Sequence, residues 1–345
     1  MLITFLSWLV VLITCFAWGW GMRRLVYVWG HGYKVNDLSA ILMMGLVAAT
    51  LYAETFSLFA RVGGVACVSF FGIAMLLLWC GRKSIAVWIR GFLRQQKQCY
   101  GIGFWTLLLA LFGISIVLSS MVPDGFDTYN YHAPAIRWLE EFGIVKGLGN
   151  LHTRFAYNNS FLCLQALFSF AWMRCRSLHG VNGFLWFYSV CFCLSGLLKK
   201  GSGWSLSNAF RVMLLWLTLS SSFFIHYMSA PHTDWMPLLL TACIFIWWRE
   251  LDERQEPSMV PYCLLSLLGI FSVSVKLSAD IIALFALNPF WRFALEWSWE
   301  KAVFFALVCA IPLAPFVARN VVLSGYLLYP CRKWMCAAWI GRFPL

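Results

Sequence analysis

Acidic side chains are scarce in this chain: 14 Asp and Glu stand against 26 Lys and Arg, and charged residues are only 12% of 345 positions. Long polar stretches are scarcer still, which leaves little room for a separate soluble domain. No CxxC pair occurs. Most of the 13 cysteines, Cys15, Cys67, Cys163, Cys191, Cys193, Cys243 and Cys309 among them, fall in apolar runs, where a thiol behaves as a small hydrophobe. Cys331 and Cys336 have no His pair beside them, so we assign neither a metal site nor a disulfide framework. Internal repeats, low-complexity segments and interdomain linkers are absent too. The net charge of +12 does not read as nucleic-acid binding. Its basic residues sit at the ends of apolar spans, as Arg23-Arg24, Arg82-Lys83, Arg174/Arg176 and Lys199-Lys200, which is how membrane helices are anchored and oriented.

What is present is apolar sequence. A hydrophobic fraction of 61% and a mean hydropathy of +0.76 place the chain among integral membrane proteins. Residues 2–20 lack a basic leader and read as a retained helix rather than a cleaved signal peptide. Further spans are expected at 38–60, 62–81, 101–121, 160–173, 181–198, 205–229, 235–248, 259–275, 278–291 and 302–318. The expectation is an all-α polytopic transmembrane bundle, residues 1–330 as one domain, with about ten to twelve crossings. The segment 82–100 carries Arg82, Lys83, Arg90, Arg94 and Lys97 with no acid, and its apolar residues recur at helical spacing. It reads as an amphipathic helix on the cytoplasmic surface, which puts loop 21–37 inside and the long polar loop 122–159 outside. Ser220-Ser221-Ser222 predicts a break between two half-helices in 205–229. If the chain turns there, Asp234 moves to the outer side with Asp127, and Lys276 and Arg319 join them.

The outer loop holds the residues suited to chemistry. Pro123-Asp124-Gly125 signals a turn. Asp127 follows, then a helix from Pro134 through Phe142 with an apolar stripe of Ile136, Leu139 and Phe142, suited to lie flat at the interface over a cavity. A carboxylate at a turn above the membrane suits a general base; equally, Asp127 suits a turn or helix cap. Asp234 is either a site residue or the cap of a helix starting at Trp235-Met236-Pro237. Lys276 is either a phosphate contact or a snorkelling anchor. Arg319 is an orientation anchor or, because an outside arginine runs against the positive-inside bias, a phosphate or site contact. Arg137 is placed to pair with Glu141 or to meet a ligand. His132 and His152 read as hydrogen-bonding groups rather than metal ligands. Glu54, inside the second span, is costly there and a candidate for function.

The spacing Asp127-Thr-Tyr-Asn-Tyr131 resembles the Asp-Glu-x-x-Tyr signature of GT-C glycosyltransferases, such as the protein O-mannosyltransferases and the lipid A aminoarabinose transferases. The stretches Tyr131-His132-Ala-Pro-Ala-Ile-Arg137-Trp138-Leu-Glu-Glu and Gly147-Leu-Gly-Asn150-Leu-His152-Thr-Arg154-Phe-Ala-Tyr-Asn158-Asn-Ser160 resemble a bacterial group of GT-C-like membrane proteins. Ala230-Pro-His-Thr-Asp234 is similar to the second aspartate motif of those enzymes, and Val273-Ser-Val-Lys276-Leu-Ser to their membrane-edge lysine motif. Arg319-Asn320-Val-Val-Leu-Ser-Gly325-Tyr-Leu-Leu-Tyr329-Pro330 is similar to the Arg-Asn…Tyr-Pro segment that follows a span in them.

That resemblance, over residues 100–330, implies a GT-C-like fold in which residues 1–100 are extra N-terminal elements. It implies inverting transfer of a sugar from a polyprenyl-phosphate donor to an envelope glycan or lipid acceptor, at the outer face of a bacterial inner membrane. Asp127 would be the base; Tyr131, His132, Arg137, Asp234, Lys276 and Arg319 would bind substrate or phosphate. It implies no organic cofactor and leaves a divalent metal open. The chain departs from the pattern at Thr128, where the signature has Glu, and in the tail 331–345, which reads as a truncated or frame-altered C-terminus. A lipid-linked saccharide transporter or flippase, or a non-catalytic GT-C-like protein, are the alternative readings.

Overall fold

The computed structural model describes residues 1–173, 176–329 and 331. Arg174, Pro330, Cys336 and the rest of the tail 332–345 lie outside the described residues. Those described form helices throughout, with no strand among them. Four helices open the chain: α1 (Leu2–Trp29), α2 (Leu38–Ser57), α3 (Gly64–Cys99) and α4 (Ile102–Ser119). Asp37 starts α2 by accepting from the Ser39 and Ala40 amides, at 3.4 and 3.2 Å. The loop 122–159 gives a π-helical turn, Thr128–His132, running into α5 (Ala133–Glu141), then the short α6 (Thr153–Ala156). Next come α7 (Ser160–Leu167), α8 (Val181–Leu197), α9 (Leu206–Ser220) and α10 (Ser222–His226). The chain closes through α11 (Trp235–Glu253), α12 (Val260–Val275), a 3-10 stretch Leu277–Ala286, α13 (Leu287–Leu295), α14 (Trp299–Ala310) and α15 (Ala314–Ser324).

By length and composition α1 to α4 can each cross a membrane, and α14 with α15, bent by 41° at a short break, makes a fifth candidate. This is the membrane core of an all-helical membrane protein. Several other expected spans are shorter. Residues 160–173 give an α-helix of only 8 residues followed by a 3-10 turn, and 278–291 divides between 3-10 and α-helix. Residues 62–81 and 82–100 are not a span followed by a separate surface helix. They form the single 36-residue α3. Gly81 is the one weak helix former at the expected joint, and one glycine costs about 1 kcal/mol without ending a helix. At 1.5 Å per residue α3 is about 54 Å long, so its basic second half runs beyond a hydrocarbon core of about 30 Å.

Packing follows the chemistry of a bundle in lipid. Gly19 and Gly45 let α1 and α2 touch backbone to backbone; a Cβ on Gly45 would lie 1.8 Å from the Cys15 carbonyl oxygen, and one on Gly19 1.9 Å from that of Ile41. The centre is α7, every residue of which is buried, with α2, α5 and α12 packed on it. Polar tips cross between elements. The Trp8 indole donates to the Gly180 carbonyl and the Trp186 indole to that of Thr218, each at 2.8 Å, and the Tyr188 hydroxyl donates to the Ser39 carbonyl at 2.9 Å. On the outside, α3 and α4 leave Val65, Met75, Leu76, Ile102 and Leu109 more than half exposed, a surface that suits hydrocarbon rather than water.

The serine run ends α9. Ser221 is extended, and the chain restarts as α10 and the turn Tyr227–Ser229. This break returns residues 226–234 to the end of the bundle that carries the 122–132 loop, where His226 Nε2 lies 3.2 Å from Asp124 Oδ2. From there α8 and α11 run to the other end. That end is closed by buried Arg211, which pairs with Glu250 at 2.5 Å and is joined there by Arg254.

Candidate functional site

Three separated segments meet at the end of the bundle that holds the 122–159 loop. The first is 127–132. Gly125 turns the chain with φ +112, a value open to glycine, and Asp127 then opens the π-helical turn. Asp127 makes no side-chain cap bond there, so the capping role is not what its carboxylate does. It is half-buried and forms no ion pair among the described residues. Along the wide π-helical turn Tyr131 is half-buried and His132 is buried. Burial first, and then the Asp127 carboxylate beside it, push the Tyr131 phenol above its ordinary range. The Arg154 guanidinium lies over the same ring, 5.3 Å from its centre.

The second segment is 230–234, just before α11. Asn182, buried at the start of α8, fixes its backbone by donating to the carbonyls of Ala230 and His232 at 2.7 and 2.8 Å. The His232 ring stacks on Tyr227, centres 4.1 Å apart, and meets the His132 ring edge to face at 5.3 Å. His132 is 2% exposed; its Nε2 lies 3.4 Å from the Thr233 hydroxyl, while its Nδ1 has no partner. Burial, then His232, push the His132 imidazole down to about 4. Burial likewise lowers His232, against the pull of Asp234 and Asp127. Both rings are therefore neutral at neutral pH.

The third segment is the end of α12. Lys276 leaves the helix in extended conformation and its ammonium donates to Asp234 Oδ1. Asp234 Oδ2 faces His232 Nδ1 at 3.5 Å. Asp234 precedes α11 without a side-chain cap bond, so its carboxylate serves Lys276 and His232 instead of the helix. Asp127, Asp234 and Lys276 all act electrostatically on His132 and His232. The chain thus brings together Asp127, Tyr131, His132, Asp234 and Lys276.

Two expected members lie elsewhere. Arg137 stays on the open face of α5, paired with Glu141 at 2.5 Å and near Glu140 at 3.9 Å, because helical spacing supplies both acids one turn on. Arg319 is 4% exposed, held by Asn158 Oδ1 at 3.1 Å and by the Ser57 hydroxyl. His152 accepts from the Arg154 amide at 3.1 Å and starts α6. Two open cavities lie away from the cluster. One of about 470 Å³ lies between Lys199, Lys200 and Arg254 at the opposite end, and one of about 630 Å³ lies beside Arg61 at the far end of α5. Among the described residues no three His, Cys, Asp or Glu side chains are grouped to hold a metal ion.

Sequence reasoning missed His232, Asn182 and Tyr227. The signal for His232 was its place two residues before Asp234; for Asn182 it was an amide opening an otherwise apolar helix.

The fold and cluster define the class: an all-helical membrane protein with a carboxylate, histidine and lysine centre at one end of its bundle. A family model described as a domain of unknown function (DUF8201) matches residues 1–339, and the chain belongs to that family. No curated protein and no solved structure matches it.

Proposed function

We propose that this protein transfers a sugar from a polyprenyl-phosphate carrier to a hydroxyl-bearing glycan or lipid acceptor at the outer face of a bacterial inner membrane, within a GT-C-like arrangement of more crossings than the long helices alone provide. The observation that carries the reading is the meeting of Asp127, Asp234 and Lys276 from three distant segments. The two carboxylates differ in what surrounds them. Asp234 is committed to Lys276 and His232, whereas Asp127 forms no ion pair and stays half-buried, open to a substrate proton.

In this reading the acceptor hydroxyl gives its proton to Asp127 as its oxygen attacks the anomeric carbon. The bond to the carrier phosphate breaks with inversion. Lys276, held by Asp234, keeps two further N–H donors for the departing phosphate. Positioned charges of this kind contribute a few kcal/mol to a barrier. The neutral His132 and His232 bring no cation to compete with Asp127 for its proton. Exposed Val122 and Phe126, each above 80%, form an apolar lip around the loop where a lipid carrier would arrive.

The test is transfer by the purified, reconstituted protein supplied with polyprenyl-phosphate sugars. Asp127→Asn is expected to lower turnover by about two to four orders of magnitude with insertion intact. Near-normal turnover in that variant removes the base assignment. Buried Glu54 and Arg319 favour a second reading, a transporter of lipid-linked saccharide. It predicts movement of the labelled carrier between leaflets with no new glycosidic bond.

A further inference from the structure

Glu54 lies in the last turn of α2 with 0% exposure, and neither of its carboxylate oxygens has a hydrogen-bond partner. An ionised carboxylate so placed is costly, which makes it a candidate for function rather than packing. The Ser57 hydroxyl, one turn on, is already spent: it donates to the Glu54 backbone carbonyl at 2.6 Å and accepts from Arg319. Arg319, projecting from α15, is near enough to act on Glu54 electrostatically but forms no ion pair with it. Its Nε donates instead to Asn158 Oδ1, an oxygen of a neutral amide.

The elements packed on α2 are α1, α3, α7 and α15. Of these, α15 presents Arg319 and α7 presents the Cys163 thiol, on which both Glu54 and Arg319 act; no charged group of α1 or α3 acts on Glu54. A guanidinium satisfied by neutral oxygens beside a carboxyl that stands alone is the arrangement of a neutral acid next to a cation. With a full negative charge on Glu54, the same guanidinium gains more by leaving Asn158 for the carboxylate, since a buried charge without a partner is strongly destabilising.

We propose that Glu54 is a proton-binding site inside the membrane domain, with Arg319 as the cation that takes the proton's place as its partner. The ligand is a hydrogen ion. Its release goes to water, and the charge it leaves behind is met by a guanidinium already within reach. Asn158 is set free in the exchange; it otherwise holds the Phe316 carbonyl at 3.0 Å through its own amide, so the two states differ in how residues 158–160 are tied to α15. This inference is independent of sugar transfer, because it uses no residue of the outer cluster.

Infrared difference spectroscopy on the reconstituted full-length chain tests it. At neutral pH, wild type minus Glu54→Gln is expected to show the carbonyl stretch of a protonated carboxylic acid without a hydrogen bond. A carboxylate band in its place overturns the proposal. Raising the pH of the wild type should convert the acid band into the carboxylate band. In Arg319→Met the midpoint of that conversion should move upward by about one pH unit or more, because the replacing cation is gone. An unchanged midpoint removes Arg319 from the site. If Arg319→Met does not fold, Arg319→Lys serves, with a shift in the same direction but smaller. Glu54→Gln mimics the neutral acid and should insert at wild-type yield; a collapse of yield also counts against the proposal.

Discussion

Lys276 reaches back 42 positions to set its ammonium on Oδ1 of Asp234, while the other oxygen of that carboxylate faces His232 Nδ1 at 3.5 Å. One acid thus orients a cation on one side and an imidazole on the other. Both partners of the ion pair remain partly open, at 41% and 34% of their side-chain surface. Solvent screening keeps such a pair small in stability, about 1 kcal/mol or less. Its value lies in position.

It follows that Lys276→Met and Asp234→Asn should each reduce transfer by about ten- to a thousand-fold, while hardly changing resistance to unfolding. The double variant should be no worse than the poorer single one, because one interaction is being removed twice. Turnover of the four proteins, read beside their unfolding midpoints, checks this. Losses that multiply in the double variant would mean that the two residues act separately.

His132 gives a pH dependence of defined sign. Its ordinary value is 6.5, and the fold holds it at about 4. Above pH 6.5 both folded and unfolded chains carry it neutral, and its contribution is constant. Between pH 6.5 and 4 the unfolded chain takes up a proton that the folded one refuses, so stability falls as pH falls. The loss levels off below about pH 4 at about 3 kcal/mol. His132→Asn should flatten that slope. Unfolding midpoints of both proteins from pH 7.5 to 4.5 measure it, and equal slopes would show that His132 is not the group responsible.

Some of this arrangement is legible in the residues and some is not. The break after α9 is written in Ser220-Ser221-Ser222, since small hydroxyl residues bond their own backbone and weaken a helix. The pairing of Arg137 with Glu141 is written in their spacing. Cluster membership is harder. Asp127, Asp234 and Lys276 come together through chain reversals, and only charge asymmetry combined with the serine break pointed to a common end. For Arg319 a charge rule speaks only of a side of the membrane and cannot name its partners Asn158 and Ser57, which lie 161 and 262 residues away. Helix lengths were overestimated where apolar runs such as 160–173 and 278–291 fold into short or 3-10 pieces. Composition tells how apolar a segment is but not whether its neighbours cover a shorter helix.

The approach of α1 to α2 can be tested apart from any activity. A Cβ at Gly45 would stand 1.8 Å from the Cys15 carbonyl oxygen and 2.5 Å from its carbon, both backbone atoms that cannot rotate away. Gly45→Ala must push the helices apart, and overpacking of that kind costs about 1–3 kcal/mol or more. Gly72 is the internal control. It lies within α3 with nothing within 4 Å of the position a Cβ would take, so Gly72→Ala should be neutral or stabilising by up to about 1 kcal/mol, the helix preference of alanine over glycine. Unfolding midpoints of the two variants in mixed micelles should move in opposite directions. If both rise together, the close contact between Gly45 and Cys15 does not hold α1 against α2, and the small-residue seam is not what fixes the start of the bundle.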